Sequence, residues 1–104
     1  MAVLEILDTK NPAEQYEYLF FCPGCQEYHG IRTKKFFDDR KIPVERPIWS
    51  ISGSLDKPSV FPSILVNGNP KCHLFIQKGR LKYLNDCGHE LKGTEVPMID
   101  CLDI

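Results

Sequence analysis

Cys72-His73-Leu74-Phe75-Ile76-Gln77-Lys78-Gly79-Arg80-Leu81-Lys82-Tyr83-Leu84-Asn85-Asp86-Cys87-Gly88-His89 is the stretch whose pattern decides the fold. Two apolar runs flank Lys78-Gly79, and a two-residue loop ending in glycine suits a tight hairpin turn whose central residues need positive φ. With that loop, Gln77 faces Arg80, Ile76 faces Leu81, Leu74 faces Tyr83 and Cys72 faces Asn85. Side chains alternate with period two, so Leu74, Ile76, Leu81 and Tyr83 form one apolar face. Cys72 and Cys87 extend it toward the open end, and His89 joins them if the chain stays extended. His73 points the other way, beside Phe75, Lys82 and Leu84. A bulged three-residue loop would exchange the faces.

The segments around this hairpin read as further strands. Ala2 to Leu7 is a short apolar stretch ended by Asp8-Thr9-Lys10-Asn11-Pro12, and residues 12–16 have room for a helical turn. Tyr16 to Phe21 is rich in aromatic residues and runs into Cys22. Tyr28 to Thr33 is the return strand, which places Cys22-Pro23-Gly24-Cys25 at the tip of a second hairpin. Residues 34–46 are polar and form a surface connection with one short helix, the likeliest mobile part of the chain. Ile48 to Ser52 alternates as a half-buried strand. Ser59 to Val66 is strand-like, but Pro62 has no N–H for a ladder, so this strand lies at an edge or carries a bulge. Glu90 to Gly93 suits one turn closed by glycine, and Thr94 to Ile99 a last extended segment. The expected fold is mainly β, a small zinc-ribbon-like hairpin and sheet domain with little helix.

At 104 residues the chain supports one domain, spanning 1–104. Its 42% hydrophobic and 26% charged residues exclude a disordered chain. The net charge of −1 conceals a basic segment holding Arg32, Lys34, Lys35, Arg40, Lys41 and Arg46, offset by Asp38, Asp39 and Glu45. No apolar run approaches the roughly 20 residues that cross a bilayer, and the N-terminus lacks a signal pattern, so a cytoplasmic protein without membrane contact is expected. Five cysteines in a reducing compartment are thiols or metal ligands rather than disulfides, with Cys101 as the spare.

Cys22 and Cys25 are separated by two residues in a tight loop, so both thiolates reach one tetrahedral ion at about 2.3 Å. The remaining ligands come from Cys72, Cys87 and His89, with His73 and His29 as alternates. An all-thiolate set uses Cys22, Cys25, Cys72 and Cys87; a mixed set replaces Cys72 with His89. Zn2+ is the expected ion. Asp86 and Glu90 flank the second ligand group and are placed to orient a ligating imidazole, or are plain surface carboxylates. A redox Cys-X-X-Cys would want a helix after its first thiol, where this sequence reads as strand. The zinc deaminase pattern, a Gly-rich phosphate loop, a His-Glu-X-X-His helix and a nucleophile elbow with a Ser-His-Asp arrangement are all missing, so the sequence carries no positive enzyme signature.

Cys22-Pro23-Gly24-Cys25, His29, Trp49, Pro58, Pro62-Ser63-Ile64, Cys72-His73, Gly79, Asp86-Cys87, His89, Leu91 and Gly93 together resemble a family of small bacterial and bacteriophage proteins of uncharacterised function. Some members are labelled ammonia monooxygenase, which a thiolate-rich set without a spanning segment does not suit. The resemblance implies a phage or prophage accessory protein, strengthens zinc, and makes His73 a functional residue. The family's Ala-Gly-Gln tail is replaced here by Lys92-Gly93-Thr94.

The expected function is a phage-type protein, with a structural metal, that acts by binding a host macromolecule, a host protein first, in host takeover or anti-defence. Two alternatives stand beside it. One is a zinc hydrolase using Asp86, Glu90 or His73 as proton acceptor. The other is a nucleic-acid module using Arg32, Lys34, Lys35, Arg40 and Lys41, with Phe36 and Phe37 available for stacking. The oligomeric state is not readable.

Overall fold

The hairpin around Lys78-Gly79 forms in the register its alternation predicts. In a computed structural model, which describes residues 2–101, Gln77 pairs with Arg80, Ile76 with Leu81 and Leu74 with Tyr83. Lys78 and Gly79 both take positive φ, 49° and 76°, the geometry in which a two-residue loop follows the twist of its strands.

This hairpin is the middle of a five-stranded antiparallel meander: β4 (Ser50–Gly53), β5 (Pro58–Val66), β6 (Cys72–Gln77), β7 (Arg80–Tyr83) and β8 (Glu95–Pro97), in that spatial order. A second antiparallel sheet contains β1 (Glu5–Ile6), β2 (Tyr18–Cys22) and β3 (Glu27–Ile31). The architecture is mainly β. Both sheets turn apolar faces to one core, in which Phe20 and Ile31 from the smaller sheet join Val60, Ile64, Leu74, Ile76, Leu81 and Tyr83 from the larger.

Pro62 lies within β5, between β4 and β6, and is tolerated because the ladder breaks around it. Val60 pairs with Ile76 and Ile64 with Leu74, so Phe61, Pro62 and Ser63 have no registered partner on β6. The sequence left edge or bulge open, and the structure takes the bulge.

Two segments differ from the simple expectation, and a third agrees with it. The first strand shrinks to Glu5–Ile6 because Val3 and Leu4 are drawn into the core, with the Val3 N–H bonded to the Leu55 carbonyl at 2.9 Å. Residues 12–16 turn without forming a helix. The connection after β3 does contain one helix, α1 (Lys34–Arg40), whose first turn is capped by the Thr33 hydroxyl accepting the Lys35 N–H. It is held down by buried Phe36 and Phe37. Among the described residues no helix is long and apolar enough to cross a membrane.

Candidate functional site

Strand alternation on β6 sends Cys72 inward, fully buried, and the next residue, His73, to the opposite face. The inner side of this junction gathers thiols and imidazoles. Cys22 closes β2, and Cys25 returns toward it in a turn that bonds its N–H to Cys22 Sγ at 3.4 Å. Cys22 Sγ lies 3.9 Å from Cys72 Sγ, while His89 Nε2 lies 3.5 Å from Cys72 Sγ and 3.6 Å from Cys87 Sγ.

Two sets of donor atoms result, each within 4.8 Å of one another: Cys22, Cys25, His29 and Cys72, and then Cys72, Cys87 and His89. Cys72 belongs to both. A tetrahedral ion with bonds of about 2.0–2.3 Å separates its donors by roughly 3.3–3.8 Å, so these spacings fit a metal site. The fit is sharpened by His29, which is 5% exposed and whose Nε2 has no hydrogen-bond partner. A buried polar nitrogen without a partner is costly, and a cation among the thiolates would satisfy it. His29 was only an alternate ligand in the sequence; its place on β3, opposite Phe20 on β2, carries its ring to the cluster.

The thiols also share protons unevenly. The hydrogen bond from Cys72, and after it the neighbouring His29 imidazole and the Tyr83 hydroxyl 3.0 Å away, outweigh burial and pull Cys22 down to about 3. Burial and the Cys22 charge push Cys25 up to about 11, and the Cys22 hydrogen bond and burial push Cys72 up as well. A thiolate is favoured at Cys22, which suits the cluster to a cation. Gly24 matters here through space rather than φ, because a Cβ on it would collide with the His89 ring.

His73 belongs to neither set. Its backbone N–H donates to Cys87 Sγ at 3.2 Å, but its ring lies on the outer face of the sheet. There Nε2 is 3.0 Å from Ser63 Oγ, and Nδ1 is 3.0 and 3.1 Å from the two Asp86 carboxylate oxygens. Each of the three residues is set by its backbone. Ser63 leaves the β5 bulge with its carbonyl accepting the Trp49 indole N–H at 3.1 Å. His73 is fixed by the β6 ladder, opposite Leu65. Asp86 lies in the loop after β7, next to Cys87, and is also 3.2 Å from the Lys71 ammonium. The hydrogen bond from His73, and then that from Lys71, hold the Asp86 carboxyl below its ordinary value of 3.8, so it is a carboxylate at neutral pH.

A hydroxyl on one imidazole nitrogen and a carboxylate on the other is the arrangement of a nucleophile, a general base and the group that orients that base. The sequence offered no such arrangement, since its residues lie on separate elements and no nucleophile elbow announces them. Asp86 does orient an imidazole, as its position suggested, but that of His73.

The basic segment is largely occupied. Arg32 is buried, donates to the Gln15 carbonyl and sits 4.3 Å from the Tyr16 ring centre. Arg40 donates to the carbonyls of Thr9, Asn11 and Glu14. Lys34 and Lys35 pair with Asp38 and Asp39 one turn on, Lys41 is the left-handed C-cap of α1, and Phe36 and Phe37 are packed edge to face rather than free to stack.

Fold and outer site together define a small β-sheet domain displaying a serine–histidine–aspartate constellation of the kind that serine hydrolases use. Residues 4–84 match the family described as bacterial ubiquitination-like system serine protease, BubE, and the chain belongs to that family. The matched stretch includes Ser63 and His73; Asp86, Cys87 and His89 lie just beyond it. No curated protein and no solved structure matches the chain.

Proposed function

We propose that the protein is a serine protease in which Ser63 is the nucleophile, His73 the general base and Asp86 the group that orients the base. The observation that carries this reading is the pair of hydrogen bonds through one ring, Ser63 Oγ to Nε2 at 3.0 Å and Asp86 to Nδ1 at 3.0 Å. In the reaction Ser63 Oγ gives its proton to His73 Nε2 as it bonds to the substrate carbonyl carbon. The imidazolium, steadied by Asp86, returns that proton to the departing nitrogen or oxygen as the bond to it breaks. Water, deprotonated by the same Nε2, then hydrolyses the acyl-serine and restores the hydroxyl. The family description names a serine protease of a bacterial ubiquitination-like system, and we take a bond at a protein's carboxyl terminus, the kind that ubiquitin-like conjugation forms, as the substrate of this chain.

The metal is structural in this reading, and zinc is the ion we assign to it. Cys22, Cys25, Cys72 and His29 supply four donors, which leaves no open position for water. Its chemistry when bound is to hold thiolates and imidazole at fixed separation; every proton in the reaction moves on Ser63, His73, the substrate or the attacking water. Metal analysis with X-ray absorption should find one zinc with three sulfurs and one nitrogen.

The test is labelling of the metal-replete full chain with a fluorophosphonate. Wild type should be labelled at Ser63, and Ser63→Ala should lose all labelling while keeping its metal and melting temperature. A folded, metal-replete wild type that takes no label would sink the protease assignment and return the surface to the role expected from the sequence, binding a macromolecule.

A further inference from the structure

Ser63 is bracketed on its own strand by exposed apolar side chains. Phe61, two residues before it, is 71% exposed, and Leu65, two residues after, is 46% exposed. Phe75, half-buried, follows His73 by two residues on β6 and so shares its outer face. Phe61 and Phe75 line one groove of about 640 Å³, whose polar lining includes Ser50, Ser52, Arg80 and Glu95, with Lys78 of the hairpin turn at the end away from His73. Arg80 and Glu95 bond each other at 2.8 Å, so neither presents an unpaired charge to the rings.

A substrate carbonyl within reach of Ser63 Oγ belongs to a chain that must continue past these side chains. At a strand rise of about 3.3 Å, Phe75 lies roughly 7 Å along β6 from His73, the span of two residues of an extended substrate. Covering a ring as exposed as that of Phe61 removes apolar surface from water, a gain open to a passing apolar side chain and not to a charged one.

We infer that the Phe61–Phe75 groove is the specificity subsite of this protease and accepts a large apolar side chain, of the Leu, Met or Phe class, within about two residues of the bond that is cut. This rests on Ser63 being the nucleophile. Phe61 offers the subsite because it follows buried Val60 and so turns to the outer face, in the stretch 61–63 that has no registered partner on β6.

The experiment compares rates of Ser63 labelling by three fluorophosphonates on the metal-replete full chain: one with a methyl substituent, one with a decyl chain, and one with a chain of similar length ending in carboxylate. The decyl reagent should react at least about tenfold faster than the methyl reagent, a discrimination typical of apolar pockets, and the carboxylate reagent should gain much less. Phe61→Ser should abolish the preference, bringing the ratio of decyl to methyl rates to about one, and Phe61→Leu should restore most of that ratio. Phe61 is so exposed that neither variant threatens folding. Equal rates for the three reagents, or a decyl preference that survives Phe61→Ser, would overturn the subsite and leave the nucleophile standing. Absence of labelling by all three would overturn both.

Discussion

The two faces of the β6 junction differ in almost every physical respect. Inward, Cys72 and Cys87 are 0% and 4% exposed and stand among thiols and imidazoles; outward, the side chains of His73 and Asp86 are 23% and 49% exposed and serve a hydroxyl. Yet the two sites are built from neighbours in sequence, Cys72 with His73 and Asp86 with Cys87. Alternation on β6 parts the first pair, and the loop after β7 parts the second. What holds the inner members in place therefore also places the outer ones, and the His73 N–H bonded to Cys87 Sγ is a direct tie between them. An exposed carboxylate and a half-exposed imidazole have little packing of their own to position them, so a rigid backing is what preorganises them.

Damage to the inner face should therefore abolish both sites, whereas damage to the outer face should abolish one. Cys72→Ser removes the donor shared by both ligand sets. A structural zinc contributes on the order of 10 kcal/mol to folding, similar to the whole stability of such a domain. The variant, or wild type stripped by a strong chelator, should lose its near-UV circular dichroism, its cooperative melt and its fluorophosphonate labelling together. A metal-free protein that still melts cooperatively and still labels would show that the outer site needs no backing.

Asp86→Asn tests the outer face alone. It leaves the imidazole without its carboxylate and favours the wrong tautomer, so labelling should slow by about 10²- to 10⁴-fold, with zinc content and melting temperature close to wild type. Loss of zinc in this variant would mean that the two faces are not separable. Trp49→Phe should have the smallest effect. It deletes the indole N–H bonded to the Ser63 carbonyl, and the loss of roughly 1 kcal/mol for one such bond should slow labelling about fivefold. A larger fall would place more of the control of Ser63 in the β4 approach than in the β5 bulge.

Much of the inner face was legible in the sequence, because it depends on local spacing. Lys78-Gly79 set a hairpin register that the structure keeps, and period-two alternation then placed Cys72 and Cys87 with the apolar residues and His73 against them. The Cys22 to Cys25 loop was readable as a hairpin tip from the aromatic run before it. The outer site was not legible because it depends on which residue of β5 stands beside His73. Pro62 signalled an irregularity there but neither its size nor its sense, and Ser63 gives no signal of its own. Asp86 was hidden by its neighbour: one residue from Cys87, it reads naturally as part of the ligand shell. His29 was underrated because the β2–β3 register brings it to the cluster, a long-range effect that the spacing of the Cys22 loop does not reveal.

Gly24 leaves room for the His89 ring and for nothing more. The β2–β3 turn therefore meets the loop after β7 with no slack, and a single methyl group there would act as a wedge. Gly24→Ala would push the loop bearing His89 away from the smaller sheet, and Asp86, three residues upstream of that ring, would move with it. Hydrolysis could be silenced from a position that touches neither the ion nor the substrate.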